Sequence, residues 1–215
     1  MPSFIAGLAG GADILELDVQ LTADEQVIVF HDDNLLHKTG VPGRVCDYPA
    51  DYLLTLDVGR HFDQRFAGTR MPLLSEVLVW ARGRVRPMIE LKHGPVFDPR
   101  LDYRTVELIE AHGMVDDVIC TSFDQFALRR VKECNRQIAT SFIYVGRVLN
   151  PLSLVEGLEV NALSPATNFL TYEEVRLIQS AGYACTPGGF YWHYPTLLQW
   201  GVDTISSNDP AQVQF

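Results

Sequence analysis

Between Val118 and Val145 the chain reads VICTSFDQFALRRVKECNRQIATSFIYV. Two short runs, VICTS (Val118–Ser122) and ATSFIYV (Ala139–Val145), flank DQFALRRVKECN, whose apolar residues Phe126, Leu128 and Val131 suit one face of a helix. Short apolar runs without alternation fit strands buried on both faces, and a helix between two of them supplies the crossover that parallel pairing needs. The same beat returns at Val160–Ser164 (VNALS), Tyr183–Thr186 (YACT) and Val202–Ser206 (VDTIS), about every twenty residues. Between them, TYEEVRLIQSAG has Thr171 as N-cap, Glu174 three residues on, Val175 and Ile178 on one face, and Gly182 as the stop. YRTVELIEAHG, ending at Gly113, is a third helix of this kind. Alternating strands and helices predict an α/β fold with a parallel sheet, which either opens into a doubly wound layer or closes into a barrel.

Working outward, the first half carries the charged groups. In ADILELDVQLTADEQVIVFHDD (Ala12–Asp33), Leu15, Leu17 and Val19 alternate with Ile14, Glu16 and Asp18, the period of a strand. A polar turn, Thr22–Gln26, leads into VIVF, which stops at His31 and Asp32. Further on, RPMIELKHG repeats the device: Ile89 and Leu91 point one way, Glu90 and Lys92 the other. Side chains near the C-terminal ends of parallel strands converge, so Glu16, Asp18 and Glu90 are expected in one space. Three carboxylates together repel unless a cation joins them, and an all-oxygen ligand set suits Mg²⁺ or Ca²⁺.

From Asp33 to Arg86 the strand–helix beat stops in a Gly-, Pro- and Asp-rich excursion, with LLSEVLVWARG as its clear helix, expected to stand over the mouth of the sheet. No linker interrupts the composition, which predicts one domain over residues 1–215. Blander readings exist for each piece. An ExD pair is commonly the wet face of an antiparallel sheet, and a strand-terminal His before two Asp can simply cap a turn. His37, His61, His93, His112 and His193 are read as surface or structural. AGLAGGAD and TPGGF lack a phosphate-binding spacing and read as helix ends or loops.

The formal net charge is -10 and no basic run occurs, which argues against nucleic acid. No apolar run is long enough to span a bilayer, and MPSFIAGLAGG has no basic lead, so neither stable membrane insertion nor a signal peptide is expected. Cys46, Cys120, Cys134 and Cys185 are scattered without zinc spacing, which fits thiols in a reducing, cytoplasmic setting.

GGADILELDVQLTADEQVIVFHDDNLLHKTGVPG resembles the signature of glycerophosphodiester phosphodiesterases, a GAD-x-x-E-x-D-V strand running through a hairpin into H-D-x-x-L. The likeness continues through TRMPLLSEVL, the IELK strand, Ser122–Phe123 and the closing GVDTISSNDP. The resemblance implies a TIM-type (β/α) barrel. It implies Glu16, Asp18 and Glu90 as ligands of a divalent cation, His31 as one of two acid–base histidines, Lys92 as a phosphate contact, and hydrolysis of a small glycerophosphodiester to glycerol 3-phosphate and an alcohol.

Two departures stand beside it. The family pattern begins with a strand ending His-Arg-Gly that supplies the other histidine and an arginine, whereas this sequence opens inside the following helix, as a truncated product would. At YACTPGG the family's Trp-Thr-x-Asn is replaced, with Cys185 and Gly188 at the Trp and Asn places. Strands are expected near Glu16, Glu90, Cys120, Phe142, Ala162, Cys185 and Ile205. Loss of one acid–base group costs about 10² to 10⁴ in rate, so weak turnover is expected. The raw strand edges invite self-association. A non-catalytic barrel that keeps a metal or phosphate site, and a related barrel phosphodiesterase acting on phospholipid headgroups, are the competing readings.

Overall fold

The computed structural model of the protein describes residues 1–94, 97–189 and 194–213. Helix α1 (Pro2–Ala9) leads into the hairpin of β1 (Ile14–Leu21) and β2 (Val27–Val29). The excursion holds short helices α2 (Leu36–Thr39) and α3 (Ala50–Leu53), then α4 (Leu74–Ala81). Alternation follows: β3 (Arg86–Leu91), α5 (Arg100–Ala111), β4 (Ile119–Ser122), α6 (Gln125–Cys134), β5 (Ala139–Tyr144), β6 (Ala162–Pro165), α7 (Tyr172–Ser180), β7 (Ala184–Cys185) and α8 (Tyr194–Trp200).

The sheet runs β2-β1-β3-β4-β5-β6-β7, antiparallel only at the hairpin. Strand order therefore follows chain order without the reversal that defines a doubly wound sheet. Crossovers of one hand that never reverse put successive helices on one face, and α4 packs on α5 and α5 on α6 accordingly. That winding is the one that curls into a barrel. Leu17, Val19, Ile89, Leu91 and Cys120 face the helices, buried against Leu78, Val106, Ile109 and Val131. The other face is polar, with Asp18, Glu90, Thr121 and Ser141 in register across β1, β3, β4 and β5.

The caps foreseen are present. Thr171 accepts the Glu174 N–H, and Gly182 ends the α7 segment at φ +88°. Asp124 caps α6 through the Phe126 N–H. Two expectations are corrected. Phe126 is exposed, 61%, and α6 buries Ala127, Leu128 and Val131 instead, because two residues along a helix is about 200° of turn and puts Phe126 opposite Leu128. Val202–Ser206 is not a strand. It lies beside β7, where Asp203 N–H donates to Cys185 O at 2.9 Å, but the Asp203 carboxylate takes the Cys185 N–H at 2.8 Å. A side chain thus occupies the acceptor place that a ladder would need, and among the described residues the sheet is not closed by hydrogen bonds.

The excursion folds over its own small core, in which Leu35, Val45, Leu53 and Met71 pack on Ile28 and Phe30 of the hairpin. It is thereby held over the C-terminal ends of the first strands. Among the described residues, no helix is long and apolar enough to cross a membrane.

Candidate active site

Parallel pairing of β1 with β3 sets Asp18 opposite Glu90, and the two-residue period of β1 places Glu16 on the same face. Ligand oxygens of Glu16, Asp18 and Glu90 lie within 4.8 Å of one another. Lys92, one period beyond Glu90, leans back so that its Nζ is 3.1 Å from Asp18 Oδ1 and 3.7 Å from Glu90 Oε1. One ammonium does not balance three carboxylates. Burial, then the charges of Asp18 and Glu90, push Glu16 up to about 8, against the pull of Lys92. Glu16 keeps a water-facing edge, but its carboxylate is crowded by protein on the other sides. Burial also raises Glu90, with Lys92 opposing it. For Lys92 burial works the other way, yet the neighbouring Asp18 and Glu90 hold its pKa above the usual lysine range. A hard divalent ion fits this place: the donors are all oxygen, converge from two strands, and carry negative charge that Lys92 leaves uncompensated.

His31 stands at the end of the hairpin with its side chain 63% exposed. Asp32 fixes it, with Oδ1 2.9 Å from His31 Nδ1, and Lys38 Nζ reaches the same oxygen at 3.1 Å. Partial burial opposes ionisation of Asp32, but the hydrogen bonds from His31 and Lys38 keep its pKa below the ordinary value. The imidazole is close enough that a positive charge on it would stabilise ionised Glu90. Gln20, the next inward position of β1, places this loop: its Nε2 donates to Phe30 O at 2.8 Å and Asp32 O at 3.0 Å. The alternation Glu16–Asp18–Gln20 was the signal for it.

Glu90, Lys92, Asp33, His93, Phe123 and Asp124 line a pocket of about 270 Å³ at the strand ends. Its wall is braced by His93, one of the histidines expected to be surface or structural. His93 Nε2 lies 2.8 Å from Asp102 Oδ1, Asp102 is fully buried, and Arg130 Nε donates to Asp102 Oδ2 at 2.6 Å. One interior carboxylate therefore ties the residue after Lys92 to α6. Asp102 has a legible signal, since it shares the buried face of α5 with Val106 and Ile109 at spacings of four and seven. Deeper in the lumen Ser141, Ser164 and Thr186 hydrogen-bond to one another. His112 is structural, bonding Leu108 O, and His37 packs on His61 at the surface. His193 lies outside the described residues.

Comparison with known proteins bears directly on this arrangement. The Glycerophosphoryl diester phosphodiesterase family matches residues 1–212. This chain belongs to that family. A glycerophosphodiester phosphodiesterase of Caldanaerobacter subterraneus subsp. tengcongensis is 30% identical over 207 residues, covering 93% of this chain and 84% of that protein. A lysophospholipase D of Rattus norvegicus is 44% identical over a shorter stretch, 36% of this chain and 26% of that one. Among solved structures, an Oleispira antarctica phosphodiesterase in complex with the product sn-glycerol-3-phosphate superposes with a TM-score of 0.88 at 24% identity, covering 95% of this chain and 85% of that one. The family fold is the TIM-type barrel, so the chain-ordered sheet is a barrel sheet, whose edge strands β7 and β2 are not joined among the described residues.

Proposed function

We propose that the protein hydrolyses small glycerophosphodiesters to glycerol 3-phosphate and an alcohol, with a divalent cation, Mg²⁺ or Ca²⁺, at Glu16, Asp18 and Glu90. The observation that carries this is the meeting of those three carboxylates within 4.8 Å at the strand ends, with Lys92 beside them. Family membership and the product named in the Oleispira antarctica complex support the substrate class. When bound, the cation supplies a Lewis acid for the phosphoryl oxygens. The remaining work falls to this chain's own groups. Lys92, beside the cluster, would contact the same oxygens and stabilise their charge as it builds. His31, with Nδ1 held by Asp32, has Nε2 left to take or give the proton. Phe123 and His93 form part of the pocket wall beside Lys92.

The His31 ring is held by Asp32, and His93 Nε2 is committed to Asp102, so acid–base work falls to one histidine and turnover by these residues is expected to be slow. A cytoplasmic location belongs to the same reading, supported by four cysteines present as thiols. The test is hydrolysis of glycerophosphocholine with Mg²⁺ or Ca²⁺, set beside calorimetric titration of each metal. Glu16→Gln should abolish both hydrolysis and metal binding. Metal binding without any hydrolysis by the unaltered protein would turn the reading to a non-catalytic barrel.

A further inference from the structure

Beside the pocket of Glu90 and Lys92 lies a second lobe of about 220 Å³ that shares Asp33, Lys92 and His93 with it. It runs outward between Thr22 of the hairpin turn and Arg44 and Cys46 of the excursion. The charges on its wall divide into two kinds. Arg100 and Asp98 neutralise each other, Arg100 donating to both Asp98 oxygens and also to Glu25. Lys92 is held by Asp18 at 3.1 Å, whereas Asp33 and Arg44 have no side-chain hydrogen bond among the described residues. Among the described residues Asp33 has no hydrogen-bond or ion-pair partner, and the single ion contact of the Arg44 guanidinium is Asp47 at 3.9 Å, beyond hydrogen-bond distance.

The order of these groups is informative. Asp33 lines both lobes and so stands at their junction with Lys92, whereas Arg44 lines only the outer one. A phosphodiester held at Lys92 would send its leaving alcohol outward past a carboxylate first and a guanidinium second. We infer that the outer lobe is the leaving-alcohol subsite and that it takes an alcohol carrying both an ammonium and a carboxylate, as in glycerophosphoserine. The ammonium pairs with Asp33 and the carboxylate meets Arg44, whose planar fork suits a carboxylate in two-point contact. A zwitterionic alcohol in this lobe makes two charge-assisted contacts, one with each of these side chains. The reaction is the one proposed above: water adds its oxygen to phosphorus, the bond from phosphorus to the serine oxygen breaks, and that oxygen takes a proton, giving glycerol 3-phosphate and serine.

The inference rests on the phosphodiesterase reading, so its test separates binding from turnover. Calorimetry with Mg²⁺ present would compare glycerophosphoserine with glycerophosphoethanolamine, which has the ammonium and lacks the carboxylate. The serine diester should bind about ten-fold more tightly, the low end for a hydrogen bond to a charged group. Arg44→Met should bring that ratio close to one, and Arg44→Lys should restore part of it. Asp33→Asn should weaken both amine-bearing diesters relative to glycerophosphoglycerol. Equal binding of the serine and ethanolamine diesters, or a ratio that survives Arg44→Met, would overturn the subsite whatever the turnover. Selective binding with no hydrolysis of any of the three would instead overturn the catalytic reading and leave the subsite standing.

Discussion

Replacing Asp102 by Asn should unsettle the protein more than any surface change, and the size of the effect can be worked out. Asp102 is fully buried on α5 and accepts from His93 Nε2 at 2.8 Å and Arg130 Nε at 2.6 Å. The amide keeps the shape but not the charge, and one of its two acceptor positions becomes a donor facing a donor. Arg130, with a side chain only 15% exposed, then has Asp124 at 3.5 Å as its remaining acidic neighbour. Its Nη2 already lacks a hydrogen bond. Breaking a buried pair from one side typically costs about 3 to 5 kcal/mol. For a domain of this size each kcal/mol lowers Tm by about 2 to 4 °C, so a fall of roughly 6 to 20 °C is expected. Urea unfolding should show a lower midpoint with an unchanged m-value. Since the acidic cluster does not touch Asp102, the folded variant should still bind metal at low temperature. Replacing Asp102 and Arg130 together by Leu and Met should recover most of the loss, because a hydrophobic pair leaves no uncompensated charge. A Tm within about 2 °C of the parent for Asp102→Asn would refute the argument.

Other expectations concern the site and the sheet edge. Glu16 is raised from 4.5 to about 8, so the folded state holds a proton that the unfolded chain releases; metal-free stability is therefore fully present below about pH 4.5 and lost as pH climbs toward 8. Thermal melts from pH 5 to 8 should fall steadily without metal and flatten with saturating Mg²⁺ or Ca²⁺; a flat metal-free profile would count against the crowded cluster. Gln20→Ala frees the carbonyls of Phe30 and Asp32 and should lower kcat about ten-fold with little change in Tm, since two partly buried hydrogen bonds are exchanged for water. A kcat equal to the parent's would show that His31 is placed by other contacts. Below Val19, β1 pairs with β3 on one side and has no partner strand on the other among the described residues, so light scattering should show mass rising with protein concentration. Ile14→Lys, a charge on that edge, should suppress the rise, and a monomer at every concentration would remove the idea.

Much of the architecture was legible because it depends on local patterns. The uniformly apolar runs near Cys120 and Phe142 and the capped helix from Thr171 each report on themselves, through burial and backbone hydrogen bonding within a few residues. Val202–Ser206 carries a fitting local pattern and is overruled by the Asp203 carboxylate taking the ladder's place, whereas Phe126 faces out because it lies about 200° around the helix from Leu128.

By itself the sequence determined which residues alternate, where most of the strands and helices lie, and that Glu16, Asp18, Glu90 and Lys92 share one face of their strands. The tertiary structure alone decided that the sheet winds without reversal, that Lys92 bends back to residues 74 positions away, and that Asp102 locks His93 and Arg130 inside. The physical reason is range: propensity and periodicity act over a turn or a pleat, whereas the pairing of charges across the barrel depends on register between strands, which no single segment encodes.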